Sequence, residues 1–299
     1  MRRSSPSKSG LRPAKKAASR PAKKVSSRPA KKAAVSRRKA APAKRQAGGR
    51  ALPKAFDLRD VGGKNYITSV KDQADCNSCT AFAVVATIEG SYNRQKNRPI
   101  QPGADTPGFS EAQLFFCNGP PGGCSCHAWY PEQALSFCFS PGGVTDRSNN
   151  DGTPRQCKTP DGSWNWTTIR DARRLRDATE MKRWISGKSP DGPGGPVIAV
   201  MLEYADLRLW KGGESKTYSP AQDTPDAINW RIGGHVVSVV GYDDTKARDQ
   251  FWICKNSWGT TEWNPAGKGY FRVKQETGLG PRARKTYIDS FDMWGVVLA

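Results

Sequence analysis

Three residues of this chain, Cys79, His235 and Asn256, have the types and settings for nucleophilic catalysis by a thiol. Such chemistry needs a thiolate, a base that makes and keeps it, and hydrogen-bond donors where a carbonyl oxygen turns negative. Cys79 lies where the turn DCNS runs into CTAFAVVATIEGSYNR, in which Phe82, Val85, Ala86 and Glu89 recur at helical spacing. A helix N-terminus favours an anion through its unpaired amides and macrodipole, so this position is expected to lower the thiol pKa. Of the two histidines, His127 and His235, the second follows two glycines and opens the apolar run HVVSVVGY. An imidazole at a strand end, beside glycines that leave room for substrate, suits a general base. Asn256 closes the run FWICKN, 21 residues further on. A hairpin would carry its side-chain oxygen to the imidazole, where it would hold the tautomer and ring angle.

The elements that must position these groups are legible in outline. ALPKAFDLRD reads as a short extended entry and the Cys79 run as a helix packed on most of its surface. FSEAQLFF offers Ser110 as a cap three residues before Gln113, and YPEQALSFC reads as a third helix. Residues 140–165 are rich in Gly, Pro, Asn and Asp, which is loop chemistry, and a short helix is expected near 176–186. GPVIAVMLEY, GGHVVSVVGYD, QFWICKN and GKGYFRV then read as strands, being β-branched or aromatic and separated by turn residues. Helices first and strands later predict an α+β fold of two lobes with a cleft between them.

QADCNSCTAF, GGHVVSVVGYDD and FWICKNSWGT, in that order, resemble the corresponding blocks of papain-like cysteine peptidases. His235 and Asn256 follow Cys79 by 156 and 177 residues. The family interval is about 130–150, so inserted loops are implied. The resemblance runs from about Leu52 to about Val273 and takes the CTAF form at the nucleophile seen in bacterial, archaeal and viral relatives. It implies a papain-like two-lobed fold. A helical lobe (about 66–160) would be led by the nucleophile helix, and a β-rich lobe (about 161–299) would carry the histidine and asparagine. It further implies a cysteine endopeptidase acting through a thioester on Cys79, with Gln73 of VKDQ and the Cys79 amide as oxyanion donors. Trp258 of NSWG would shelter the Asn256–His235 pair from water, and Val200 and Val236 would line the main specificity pocket, favouring apolar side chains. Disulfides of Cys76 with Cys124 or Cys126, and of Cys117 with Cys157, are implied by the same comparison.

The chain departs from the family in several places. Thr80 stands where tryptophan usually follows the nucleophile, and Asn77 replaces a glycine, tolerating positive φ but narrowing the approach to substrate. CHAW, with Ala128 and Trp129, stands where the family carries the GlyGly rail that pairs with the peptide. Two readings therefore compete with the peptidase: a catalytically silent papain-like binding module, and transfer of acyl groups or cleavage of other amides by the same thiol. The resemblance implies no cofactor. Cys117, Cys124, Cys126 and His127 include zinc-ligand types, but a CxC followed directly by His departs from the usual spacing. Each site residue has a plainer structural reading too: a buried thiol for Cys79, a satisfied core histidine for His235, a strand-end cap for Asn256, a surface loop residue for Gln73.

Residues 1–50 are a different kind of sequence. They carry 18 Lys or Arg with no acidic and no aromatic residue, so of the net charge of +21 the remaining 249 residues hold only +3. RPAKK recurs three times in a background of Ala, Ser and Pro, resembling the basic tails of linker histones. With so few large apolar residues (Leu11, Val25, Val35) the segment cannot offset the entropy of ordering, and it reads as disordered. It implies non-specific, salt-sensitive contact with nucleic acid or another polyanion, and a further rival function in which the tail is the working part. The tail offers no packable helix to fill a cleft, so the family's inhibitory prosegment is not expected in it. MRRSSPSKSG precedes no apolar stretch, so neither a Sec signal peptide nor a membrane-spanning helix is predicted. The eight cysteines leave the compartment open. The expected partner is a polypeptide substrate met by a monomer.

Overall fold

β-Branched and aromatic runs decide where the sheet of this protein forms. The computed structural model describes residues 51–101, 108–118, 126–139, 143–145, 166–222, 229–277, 279 and 283–299. Its ten strands are β1 (Ala55–Asp57), β2 (Val144–Thr145), β3 (Trp166–Thr167), β4 (Ile169–Leu175), β5 (Val197–Tyr204), β6 (Thr217–Tyr218), β7 (Arg231–Asp243), β8 (Phe251–Lys255), β9 (Tyr270–Lys274) and β10 (Met293–Leu298). Its α-helices are α1 (Cys79–Gln95), α2 (Pro131–Ser136), α3 (Ala178–Ile185) and α4 (Ala205–Arg208). Eight strands form one sheet in the order β4-β10-β5-β7-β8-β9-β6, with β1 also paired to β7, and β2 and β3 form a separate ribbon. All the pairs are antiparallel except β6 with β9.

β7 is the strand on which the rest depends. Its residues His235–Tyr242 are buried on both faces, as a central strand rich in valine should be. The first part of β7 pairs with β5, and its end pairs with β8 and β1. At the change of partner the register shifts between Val239 and Gly241. A Cβ at Gly241 would lie 2.6 Å from the Phe56 carbonyl, so only glycine lets β1 approach there.

α1 is buried from Thr80 to Ser91 apart from Phe82, as its all-round apolar character predicts. Gly90 lets it meet Pro196, whose Cγ would be 2.5 Å from an added Cβ. Thr87 and Ser238 hydroxyls join α1 to β7 at 2.9 Å in the interior. The Ser110 cap is present, its Oγ accepting from the Gln113 amide at 3.1 Å, and the helix it starts relaxes into a π-turn over Gln113–Cys117.

Two apolar cores result, giving an α+β fold of two lobes. One gathers α1 with Leu114, Phe115, Trp129 and Leu135, and the other gathers Trp184, Trp252, Trp263, Phe271 and the inner sheet residues. β4 and β10 were not expected from sequence. IRDARRL buries only its ends, Ile169 and Leu175, and owes its extended state to six residue pairings with the C-terminal strand. The 140–165 loop lies almost wholly outside the described residues, apart from Gly143, Val144 and Thr145.

Candidate active site

Cys79 is the first residue of α1, and His235 and Asn256 come to it from β7 and from the end of β8. The β7–β8 hairpin, with Ser238 opposite Lys255, sets Asn256 beside the start of the buried part of β7. His235 Nε2 and Asn256 Oδ1 are 2.7 Å apart. An amide oxygen only accepts, so Nε2 carries a proton and the other ring nitrogen serves Cys79. His235 is 2% exposed and Asn256 3%, whereas Cys79 is half-buried and open to a reactant.

Burial alone would push the Cys79 thiol up, but the hydrogen bond and charge of His235, with the amides of Val236 and Thr80, carry it below its ordinary value. Burial likewise opposes charge on His235. The Cys79 sulfur, then Glu203 and Asn256, raise it above the usual imidazole value. Opposite shifts of hydrogen-bonded partners favour a thiolate–imidazolium pair, the reactive form of a thiol nucleophile.

Gln73 is fixed at both ends of its amide. Nε2 donates to the Cys76 carbonyl at 2.7 Å, and Oε1 accepts from Ser257 Oγ at 2.6 Å. The Gln73 amide also donates to the Ser257 carbonyl at 2.8 Å, and the Gly259 amide to Lys71 at 3.2 Å. The segment leading to Cys79 is thus laced to the segment after β8. Cys76 is bridged to Cys126, one of the two expected pairings, and this disulfide closes the same turn. Cys126 is therefore no thiolate for zinc, and Cys117 is likewise disulfide-bonded. The expected partners Cys124 and Cys157 lie outside the described residues.

Trp258 stacks on His235 with ring centroids 4.6 Å apart and planes 29° from parallel. Val200 and Val236 are directly opposite each other on β5 and β7 and pack on the helical-lobe core. Asn77 and Ala128 are exposed near the turn. Asn77 does not use its tolerance of positive φ, whereas Ala74 (50°) and Cys126 (53°) take such values. Thr80 bonds through its hydroxyl to the Trp129 carbonyl, so the two departures CTAF and CHAW meet as one contact. Trp129 is buried, edge-on to Phe115 at 6.2 Å.

Some residues around the site were not singled out beforehand. Lys71 Nζ bonds Glu89 at 2.7 Å and Glu111 at 2.5 Å, and Lys255 Nζ donates to Thr68 Oγ1 at 2.8 Å. These groups are buried or nearly so, directly behind Asn256. Glu89 on an otherwise buried helix face was the signal that such partners exist. Glu203 and Arg208 were missed because nothing in their local sequence distinguishes them, and Ser257, though inside NSWG, because its partner Gln73 is distant in sequence.

Residues 52–288 match the family described as papain family cysteine protease. The chain is similar to the cathepsin L-like proteinase of Fasciola hepatica, 30% identical over 241 residues, 78% of this chain and 64% of that one. It is similar also to the viral cathepsin of Cydia pomonella granulosis virus, 29% identical over 229 residues, 75% of this chain and 58% of that one. The chain thus spans less than two thirds of the length of either. In fold it is similar to bromelain of Ananas comosus in complex with the E64 inhibitor. That likeness has a TM-score of 0.60 at 24% identity and covers 83% of this chain and 100% of that one.

Proposed function

The chain belongs to the papain family of cysteine proteases, and from that premise we propose that it hydrolyses peptide bonds with Cys79 as nucleophile, His235 as base and acid, and Asn256 as the group orienting His235. The observation that carries this reading is the bond of His235 Nε2 to Asn256 Oδ1 at 2.7 Å under the stacked Trp258 ring, with Cys79 at the start of α1; the opposite shifts of Cys79 and His235 agree with it. The thiolate adds to the substrate carbonyl and forms a C–S bond. The oxygen becomes an anion, held by the Cys79 amide and the Gln73 side chain. As the C–N bond breaks, imidazolium gives its proton to the departing amine. Neutral imidazole then takes a proton from water, whose oxygen attacks the thioester, and the acid leaves with the thiolate restored.

Trp258 excludes water from the His235–Asn256 bond in this reading, which strengthens it in a lower dielectric. Val200 and Val236 offer an apolar pocket for a hydrophobic substrate residue, and Asn77 and Ala128 border the substrate path. Because every group invoked comes from one chain, a monomer suffices.

The experiment is labelling of the purified protein with an epoxysuccinyl peptide, alongside cleavage of an unfolded protein by the parent and by Cys79→Ala. Labelling at Cys79, with cleavage lost in the variant at unchanged thermal stability, is the expected result. Cleavage retained by Cys79→Ala overturns the assignment, and an unlabelled Cys79 favours a silent binding module.

For residues 1–50 the reading is non-specific contact with nucleic acid or another polyanion, resting on 18 basic and no acidic residues. Duplex DNA binding should fall steeply with salt and vanish when the segment is deleted. Undiminished binding after deletion would remove the tail from the account.

A further inference from the structure

Glu203 is a carboxylate that the peptidase reading does not use, yet it is only 4% exposed. On β5 it stands opposite Gly233, while its neighbour but one, Met201, stands opposite His235. Side chains alternate along strands, so Glu203 and His235 share one face of the sheet as diagonal neighbours. Opposite Glu203 there is no side chain to screen it, because position 233 is glycine. The Glu203 carboxylate is bonded by the guanidinium of Arg208, at the end of α4. Arg208 in turn lies over the Trp258 ring, 4.8 Å from its centroid, and Trp258 is the ring stacked on His235. Glu203, Arg208, Trp258 and His235 thus form a continuous chain of contacts ending on the imidazole.

Resting on the reading of His235 given above, we propose that Glu203 and Arg208 are a positioning pair for it: Arg208 holds Trp258 against the ring, and Glu203 supplies negative charge that steadies the imidazolium. A tie from strand to helix for stability alone explains the geometry poorly. An ion pair with one partner half-exposed adds little to stability, and Arg208 remains 53% exposed. Burying the carboxylate beside the imidazole makes sense if its charge acts there.

Among the described residues, charged and titratable groups come to the surroundings of His235 from several elements, and Asp72 is bridged to Trp258. α1 presents Cys79. α4 presents Arg208, while Asp206 accepts from the Tyr218 hydroxyl at 2.6 Å. After β8 come neutral Asn256 and Trp258, and Lys255 is turned to Thr68. On β7 itself Arg231 is four residues away and exposed. Among the described residues, Glu203 is the acidic group that shares the sheet face of the ring, in keeping with its place among the influences that raise His235.

The test uses the sign of two opposite changes. With two histidines in the chain, imidazole NMR titration of the protein resolves His235 without relying on peptidase activity. Glu203→Gln should lower the His235 midpoint by about one pH unit and Arg208→Gln should raise it by a similar amount. The double variant should return close to the parent, and Arg208→Lys should stay near it. The alkaline limb of kcat/KM should move with the midpoint. If Glu203→Gln does not fold, Arg208→Gln and Arg208→Lys carry the test alone, since Arg208 is half-exposed. Midpoints that stay put, or both move the same way, overturn the positioning pair while leaving the peptidase reading intact. Failure of the parent to label or cleave would strike the peptidase reading instead.

Discussion

His235 Nε2 donates to Asn256 Oδ1 across 2.7 Å, and both residues are almost wholly removed from solvent. This bond decides which ring nitrogen faces the sulfur. A hydrogen bond to a group that becomes charged is worth about 1.5–3 kcal/mol. Asn256→Ala should therefore lower kcat/KM roughly 10- to 150-fold. Asn256→Asp, which still accepts, should retain more activity and shift the alkaline limb upward. Steady-state kinetics on a peptide substrate checks both.

The pH dependence of alkylation follows from the two shifts. Cys79 is held below its usual value and His235 above its own, which favours coexistence of thiolate and imidazolium; acid removes the first and alkali the second. Reaction of Cys79 with iodoacetamide should stay fast well below the ordinary thiol range and decline only as acid protonates the sulfur. Cleavage should fail in addition at alkaline pH, where His235 gives up its proton. A reactivity that rises only near an ordinary cysteine pKa would contradict the assignment.

Gln73 has little freedom, with Nε2 on the Cys76 carbonyl and Oε1 on Ser257. Removing one oxyanion donor typically costs about 100- to 1,000-fold in kcat with modest change in KM. That is the expectation for Gln73→Ala. Ser257→Ala keeps the donor and frees its orientation, so its loss in kcat should be smaller.

The Cys76–Cys126 disulfide closes a separation of 50 residues. Bridges over loops of this size stabilise by about 2–4 kcal/mol. Replacing both cysteines by serine should lower stability by that order in denaturant titration. It should also reduce kcat, because the Cys76 carbonyl anchors Gln73.

Behind the site, Lys71 stands between Glu89 and Glu111, both nearly inaccessible. Deleting one partner of a buried ionic cluster costs about 3–5 kcal/mol. Lys71→Met should approach that loss at neutral pH, and the loss should shrink in acid as the carboxylates take up protons. Lys255 contributes in the opposite sense. Burial, only partly offset by Glu89, lowers it to about 8 from an ordinary 10.5. The unfolded chain then binds more protons than the folded one between those values. This group's share of stability therefore rises with pH across that window, and Lys255→Met should flatten the rise.

Local sequence was enough to propose Cys79, His235, Asn256 and Gln73 as one site, because each sits in a short block whose composition also dictates its backbone. The Cys79 block is a helix start, and the other two end or begin β-branched strands. It was enough also for the Ser110 cap and the strands around β7. What needed the folded chain were relationships between residues distant in sequence. β4 is extended because β10 pairs with it, and Ser257 serves Gln73 from 184 positions away. The Glu203–Arg208 pair reaches His235 across β5 and β7 and through Trp258, contacts that no single segment encodes. Propensity and periodicity act over a few residues, whereas packing, burial and charge act through space. The candidate groups were therefore legible in the motifs, and their surroundings arose only when β5, β7 and the loop after β8 came together.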